Sequence, residues 1–186
     1  MKNPFKKWEG NKVFETVKVI VISLAIIIPI RTFLMEPFYV KGTSMEPNYY
    51  SYDYLLINKL KYHLQTPKRG DIVVAKFASD KPYVIKRIVA LPGETIDIKD
   101  KQVRITETNG NSFLLEEPYL DPANLKNETL NFKIPDDHFM LLGDNRKVSL
   151  DSRQQGPIEK KNIKGLVMVK VLNFSPIVDL VQRIMP

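Results

Sequence analysis

From residue 54 to residue 172 the chain is broken into short apolar runs: "YLLINKL", "DIVVAKF", "YVIKRIVAL", "TIDIKD", "QVRIT", "HFMLLGD" and "GLVMVKVL". They are rich in Val and Ile and are divided by "TPKRGD", "ASDKP", "LPGE", "TNGN" and "IPDD". β-branched runs of this length, bounded by Pro, Gly, Asp and Asn, are too short for ordinary helices and read as strands, so the body of the protein is expected to be mostly β. The Asn-Gly pair in "TNGNS" marks a hairpin. Residues 114–132, "LLEEPYLDPANLKNETLNF", are polar and interrupted by proline, and read as an excursion from the main sheet, so that a departure from the body is expected around 100–132. At the end, "SPIVDLVQRIMP" spaces Ile177, Leu180, Val181 and Ile184 at helical intervals, the pattern of a terminal helix lying on the body or on a membrane surface.

The front of the chain is different in kind. "MKNPFKKWEGNK" places Lys2, Lys6, Lys7 and Lys12 ahead of "VFETVKVIVISLAIIIPIRTFLM". Basic residues before an apolar run are expected on the cytoplasmic side of a membrane. The uncharged core, Val19 to Ile30, spans roughly 18 Å as a helix against about 30 Å of hydrocarbon. Extending it to 13–35 gives about 34 Å and takes in Glu15, Lys18 and Arg31, of which the two cations near the ends can reach the interface. The bulky "RTFLMEPF" that follows lacks the small residues of a cleavage site, which favours an uncleaved anchor over a removed signal sequence. The expected organisation is a basic cytoplasmic segment over 1–12, a transmembrane helix over 13–35 and an extracytoplasmic domain over 36–186.

At 186 residues the chain holds one domain, or one domain with an appendage. It has no cysteine and two histidines, His63 and His138, which removes disulfides, thiol chemistry and the usual zinc sites. The net charge of +7 comes from scattered lysines and one N-terminal cluster, which is not the footprint of a nucleic-acid-binding face.

One serine, Ser44, sits in a small-residue turn, "YVKGTSMEPN". A serine nucleophile needs a base within hydrogen-bond reach. Neither histidine lies in a triad-like context, since His63 in "KLKYHLQTPKRG" and His138 in "IPDDHFMLL" both sit at strand ends or turns. Lysine is the other known partner of serine. With a reference pKa of about 10.4, roughly 1 lysine in 2,500 is neutral at pH 7, and bringing the pKa near 7.5 disfavours the ammonium by about 4 kcal/mol. Such a lysine must share its face with apolar side chains. In "YVIKRIVALPGE", strand alternation puts Lys86 with Val84 and Ile88, and Arg87 on the other side with Ile85 and Val89. A solvated edge lysine satisfies the same pattern, and Lys170 in "VMVKVL" is the chief competitor. A third stretch, "LLGDNRKVSLDSRQQGP", crowds Asp144, Asn145, Arg146, Ser149, Asp151, Ser152 and Arg153 after a strand. It reads as a polar turn held by Asp–Arg pairing, or as the scaffold of a site.

Taken together, "GTSMEPN", "RGDIVV", "KRIVALPGE" and "LLGDNRKVSLDSR" resemble, in order, the motifs of bacterial type I signal peptidases, and the short spacing resembles the Gram-positive type. The resemblance covers nearly the whole chain. It implies an antiparallel β-sheet catalytic domain with a small second domain behind one N-terminal transmembrane helix, and a serine endopeptidase that removes signal peptides from exported preproteins at the outer face of the plasma membrane. Ser44 would be the nucleophile and Lys86 the general base. Ser149 would hydrogen-bond the Lys86 amine, Asp151 and Arg153 would pair in the wall beside it, and Asp144 would meet Arg87 behind the lysine strand. The backbone N–H of Ser44 would donate to the oxyanion. In some members a hydroxyl two residues before the nucleophile is the second donor; here Gly42 stands there, which leaves that donor open. Lys147 and Val148 replace the Asp-Asn found in many members. Phe38, Val40, Met45, Val84 and Ile85 would line shallow apolar substrate pockets. The implied partners are signal peptides and the phospholipid membrane, with no nucleic acid, cofactor or metal. Two other readings stay open from the sequence: a Ser/Lys protease like the self-cleaving domain of bacterial SOS repressors, and an inactive membrane-anchored β module.

Overall fold

The structure is a computed structural model that describes residues 9–29 and 34–173. The helix expected near the C-terminus lies outside the described residues. At the other end, helix α1 covers Glu9–Pro29. It overlaps the expected anchor, but Lys12, Glu15 and Lys18 fall in its first half. Among the described residues no helix is long and apolar enough to cross a membrane. From Val19 to Ile28 its apolar side chains are exposed.

The described residues after α1 are built on two antiparallel sheets. The strands are β1 (Met35–Tyr39), β2 (Asp53–Asn58), β3 (Ile72–Ala75), β4 (Val84–Ala90), β5 (Thr95–Lys99), β6 (Gln102–Thr106), β7 (Ser112–Leu114), β8 (Leu130–Lys133), β9 (His138–Leu142), β10 (Ile158–Glu159) and β11 (Ile163–Asn173). Short helical turns α2 (Lys61–Leu64) and α3 (Ser152–Gln155) sit in the connections. The main sheet has seven strands in the order β1-β2-β11-β3-β4-β9-β10, and the second has four in the order β7-β6-β5-β8. The Asn-Gly hairpin joins β6 to β7, with Gly110 at φ +91° and the Asn109 side chain accepting from the Asn111 amide.

The second sheet occupies Thr95–Lys133, so the departure from the body begins a few residues before the expected 100. Its alternation is regular: Ile96 and Ile98 on β5 and Val103 and Ile105 on β6 are buried, while Lys99, Gln102 and Arg104 face out. Those four aliphatics share one core cluster with Val89, Ala90, Met140 and Leu142 of β4 and β9. A second cluster, with Val73, Ala75, Ile88, Phe139 and Leu141, fills the opposite face of the same strands. A third gathers Val40, Met45, Leu55, Ile57, Val74, Ile85 and Val167. Strand β4 contributes to all three, which fixes it on every side.

Candidate active site

Ser44 stands on the loop between β1 and β2. That loop is closed at its base by backbone bonds from the Val40 amide to the Asp53 carbonyl and from the Tyr52 amide to the Val40 carbonyl, both 3.0 Å. Met45, with no exposed surface, anchors the loop in the third core cluster. Its carbonyl accepts from the amides of Asn48 and Tyr49, both at 3.0 Å, which curls the chain and leaves Ser44 half-buried at the surface. On the far side, the Asn145 amide donates to the Ser44 carbonyl at 3.0 Å and ties the loop to the segment after β9.

Lys86 lies in the middle of β4, opposite Val73 of β3, and is only 3% exposed. Its Nζ donates to Ser44 Oγ at 2.7 Å and to the Ile85 carbonyl at 3.0 Å. No carboxylate of the described residues forms an ion pair with it. Burial therefore dominates its titration and lowers the pKa to about 8, against the pull of the Asp151 and Asp144 charges, which raise it; the Arg153 charge lowers it further. An amine near that value has an appreciable neutral fraction at pH 7, and in that form its lone pair can accept the Ser44 proton across the same 2.7 Å.

The next side chain along β4, Arg87, turns to the other face, as strand alternation requires. It makes a bidentate pair with Asp144, at 2.9 Å from Nε and 2.7 Å from Nη2. Tyr119 stacks on its guanidinium at 3.7 Å. Asp151 and Arg153 form a second bidentate pair, at 2.8 and 2.9 Å. Burial alone would raise the Asp151 carboxyl, but Arg153, the Gly143 amide and the Ser149 hydroxyl outweigh it and hold it low. Asp151 also caps α3 in a capping box with Gln154.

Ser149 differs from expectation. Its hydroxyl is buried in this wall but makes no hydrogen bond within normal geometry, neither to Lys86 nor to Asp151, on whose titration it still acts. Lys86 instead spends its donors on Ser44 and the Ile85 carbonyl. Gly143, just after β9, lies so close to this wall that a Cβ there would collide with Ser149 Oγ and sit 2.5 Å from the Ser44 carbonyl oxygen.

Several residues of this wall carried no local signal. Glu117 pairs with Arg146 at 2.5 Å and Glu128 pairs with Arg153. Asn48 Nδ2 donates to Asp144 Oδ2 at 2.8 Å and to the Tyr119 carbonyl at 2.9 Å. Glu117, Tyr119 and Glu128 all come from the polar excursion after β7, which straps over the arginines. Gly143, by contrast, could have been suspected from a glycine placed between a buried strand and an Asp-Asn-Arg turn.

A cleft of about 390 Å³ opens over Ser44 and Lys86. Val84 lines it, as expected, with Thr43, Phe77, Pro82, Val148 and Leu150 around it and Lys41 and Lys81 at the rim. The other expected pocket residues lie elsewhere. Val40, Met45 and Ile85 are buried in the third core cluster and Phe38 packs against it. They belong to the floor beneath the nucleophile loop. Gly42, at φ +97°, lies in the cleft with open space where a Cβ would be.

The competing bases fall away by position. Lys170 on β11 pairs with Asp53 at 2.7 Å and lies over the rings of Tyr49 and Tyr50. The His138 ring bonds the Asp136 carbonyl two residues back, at 2.7 Å. Among the described residues no group of three or more histidines and carboxylates could hold a metal ion. A serine hydroxyl held 2.7 Å from a desolvated lysine, at the floor of an open cleft, is equipped for acyl transfer to serine.

A model of the signal peptidase, peptidase S26 family matches residues 13–172. The chain belongs to that family. Signal peptidase I P of Bacillus subtilis subsp. natto is 34% identical over 177 residues, covering 92% of this chain and 94% of that protein. Signal peptidase I of Bacillus licheniformis is likewise 34% identical, with 90% and 92% covered. A solved signal peptidase I from Enterococcus faecalis V583 is 30% identical, with a TM-score of 0.48 over 56% of this chain and 98% of that one. Signal peptidases of this family are serine proteases, and the hydrolytic removal of signal peptides is the function of this chain.

Proposed function

We propose that Ser44 and Lys86 are the catalytic dyad of this signal peptidase and that it works at the outer face of a bacterial plasma membrane, with α1 at its anchored end. The observation that carries the catalytic assignment is the 2.7 Å contact between Ser44 Oγ and Lys86 Nζ, with no carboxylate of the described residues paired to the amine. A preprotein lies in the cleft with its scissile carbonyl over Ser44. Neutral Lys86 takes the Ser44 proton as Oγ attacks the carbonyl carbon, and the tetrahedral intermediate collapses by passing that proton to the leaving amine. The mature protein departs with its new N-terminus, and the signal peptide remains as an ester on Ser44. Lys86, neutral again, deprotonates a water that hydrolyses the ester and restores both groups.

Arg87–Asp144 and Asp151–Arg153 act in this scheme as scaffold. They neutralise two buried carboxylates that would otherwise draw a proton onto Lys86. The apolar rim of Val84, Val148 and Leu150 suits the small uncharged side chains that precede a signal-peptide cut. The cluster of Lys2, Lys6, Lys7 and Lys12 ahead of the apolar run supports a cytoplasmic N-terminus, with the β body on the outer side.

The test is incubation of the purified full-length chain with a secretory preprotein, with mass mapping of the products. A single cut after the signal sequence, absent in Ser44→Ala and Lys86→Ala, is the expected result. Undiminished cleavage in either variant would refute the dyad. Resistance of residues 36–186 to external protease on intact cells would refute the orientation.

A further inference from the structure

A serine protease must place donors where negative charge grows on the attacked carbonyl, and each donor removed typically costs about 10²–10³ in kcat. The Ser44 amide is suited to this, since it makes no hydrogen bond among the described residues. A second donor must come from the same lip of the cleft. Gly42 is excluded on both counts: it has no side chain, and its amide is already committed. The Ser51 hydroxyl accepts from the Gly42 amide at 2.9 Å and donates back to the Gly42 carbonyl at 3.1 Å. This two-way clamp fixes the Gly42 peptide at its positive φ and leaves it no donor to offer substrate.

The remaining side chains lining the cleft near Ser44 narrow the choice further. Val84, Val148, Leu150, Phe77 and Pro82 carry no donor. Gln155 donates to the Leu150 carbonyl. Lys41 and Lys81 are exposed cations on long four-carbon stems at the rim, unsuited to a fixed donor position. Thr43 adjoins the nucleophile, is exposed in the cleft, and its hydroxyl makes no hydrogen bond among the described residues. Its carbonyl is held by the Glu46 amide at 3.2 Å, so the residue is fixed on both sides, by that turn and by the clamped Gly42.

We infer that the Thr43 hydroxyl is the second oxyanion donor, a catalytic residue that Ser51 positions through Gly42. The inference rests on Ser44 being the nucleophile. In the attack step the hydroxyl donates its hydrogen to the carbonyl oxygen as the C=O bond opens to a C–O⁻ single bond, and no proton is transferred.

The experiment compares wild type, Thr43→Val and Thr43→Ser on a fluorogenic signal-sequence peptide with the full-length enzyme in detergent. Thr43→Val keeps the shape and removes the donor. Its kcat is expected to fall about 100-fold with KM within about threefold, with unchanged thermal unfolding and an unmoved pH limb. Thr43→Ser is expected to recover to within several-fold of wild type. Ser51→Ala, which frees Gly42, should lower kcat by a smaller factor in the same KM-independent way. Wild-type kcat in Thr43→Val, or equal losses in the Val and Ser variants, would overturn the assignment. If Ser44→Ala cleaved as well as wild type, the underlying reading would fail instead, so the two failures are distinguishable.

Discussion

Lys86 and Lys170 look alike in sequence: each interrupts a run of aliphatic residues on a strand of the main sheet. Their surroundings are opposite. Lys170 is 30% exposed at its side chain, meets the fully buried Asp53 carboxylate at 2.7 Å and lies over two tyrosine rings. Lys86 is closed off among apolar neighbours and meets only a hydroxyl and a carbonyl. Lys170 holds a buried carboxylate, whereas Lys86, its pKa lowered by burial, is fitted to lose its proton. The presence or absence of a carboxylate partner among the described residues separates them.

The sharpest way to break this contrast is to delete each amine in turn. Lys86→Met should reduce peptide cleavage by at least about 10³-fold, because Ser44 then has no base within reach. Lys170→Met should leave cleavage within a few-fold, read in the same assay. Comparable losses in the two would mean that the dyad is not where the geometry puts it.

Next in size is Gly143→Ala. The added Cβ collides with the Ser149 side chain and with the Ser44 backbone carbonyl, and the latter cannot swing aside without moving the nucleophile loop. A loss of roughly 10–100-fold in kcat is expected, from displacement of Ser44 relative to Lys86.

Stability should separate the two lysines in the opposite order. The folded pKa of Lys86 is about 8, below that of an unfolded lysine. Below about pH 8 the folded state carries a penalty that the unfolded state does not. Between about pH 8 and 10.4 the unfolded chain binds more protons, so stability rises with pH. Lys86→Met should therefore be more stable than wild type at pH 7, by up to about 3 kcal/mol, with the difference vanishing near pH 10. Lys170→Met should be less stable by about 1–3 kcal/mol, since it strands the buried Asp53 charge. Denaturant titrations at two pH values decide both.

The smallest effect is the pH profile of kcat/KM itself. It should rise with pH through a limb near 8, and Lys170→Met should leave that limb in place. A limb that moves in this variant would couple two lysines that the structure keeps apart.

How much of this was open to a reader of the sequence depends on the range of each interaction. Strand periodicity identified the β body, the Asn-Gly hairpin and the opposed faces of Lys86 and Arg87, because alternation is local. It could not separate Lys86 from Lys170, since the Asp53 that pairs with Lys170 is more than a hundred positions away. The straps from Glu117 and Glu128 were hidden too, since they reach arginines 29 and 25 positions on, well beyond the range of strand alternation. Met45, Val40 and Ile85 are as apolar as pocket residues should be, and only packing shows that they form the floor beneath the loop. The Ser149 bond to Lys86, expected from the resemblance, is not formed in a wall spaced by Gly143. At the front, composition gave a helix in the right place, but Lys12, Glu15 and Lys18 fall in its first half, and no helix of the described residues is long and apolar enough to cross a membrane.

One feature of the fold reaches beyond catalysis. The second sheet buries its aliphatic face against Val89, Ala90, Met140 and Leu142, the strands directly behind the dyad's lysine. A minimal enzyme made by joining β4 straight to β9 would leave those four side chains wet and would strip Arg87, Arg146 and Arg153 of Tyr119, Glu117 and Glu128. The segment between Leu91 and Pro135 thus works as cladding for the main sheet, and shortening it should be felt first as a fall in thermal stability.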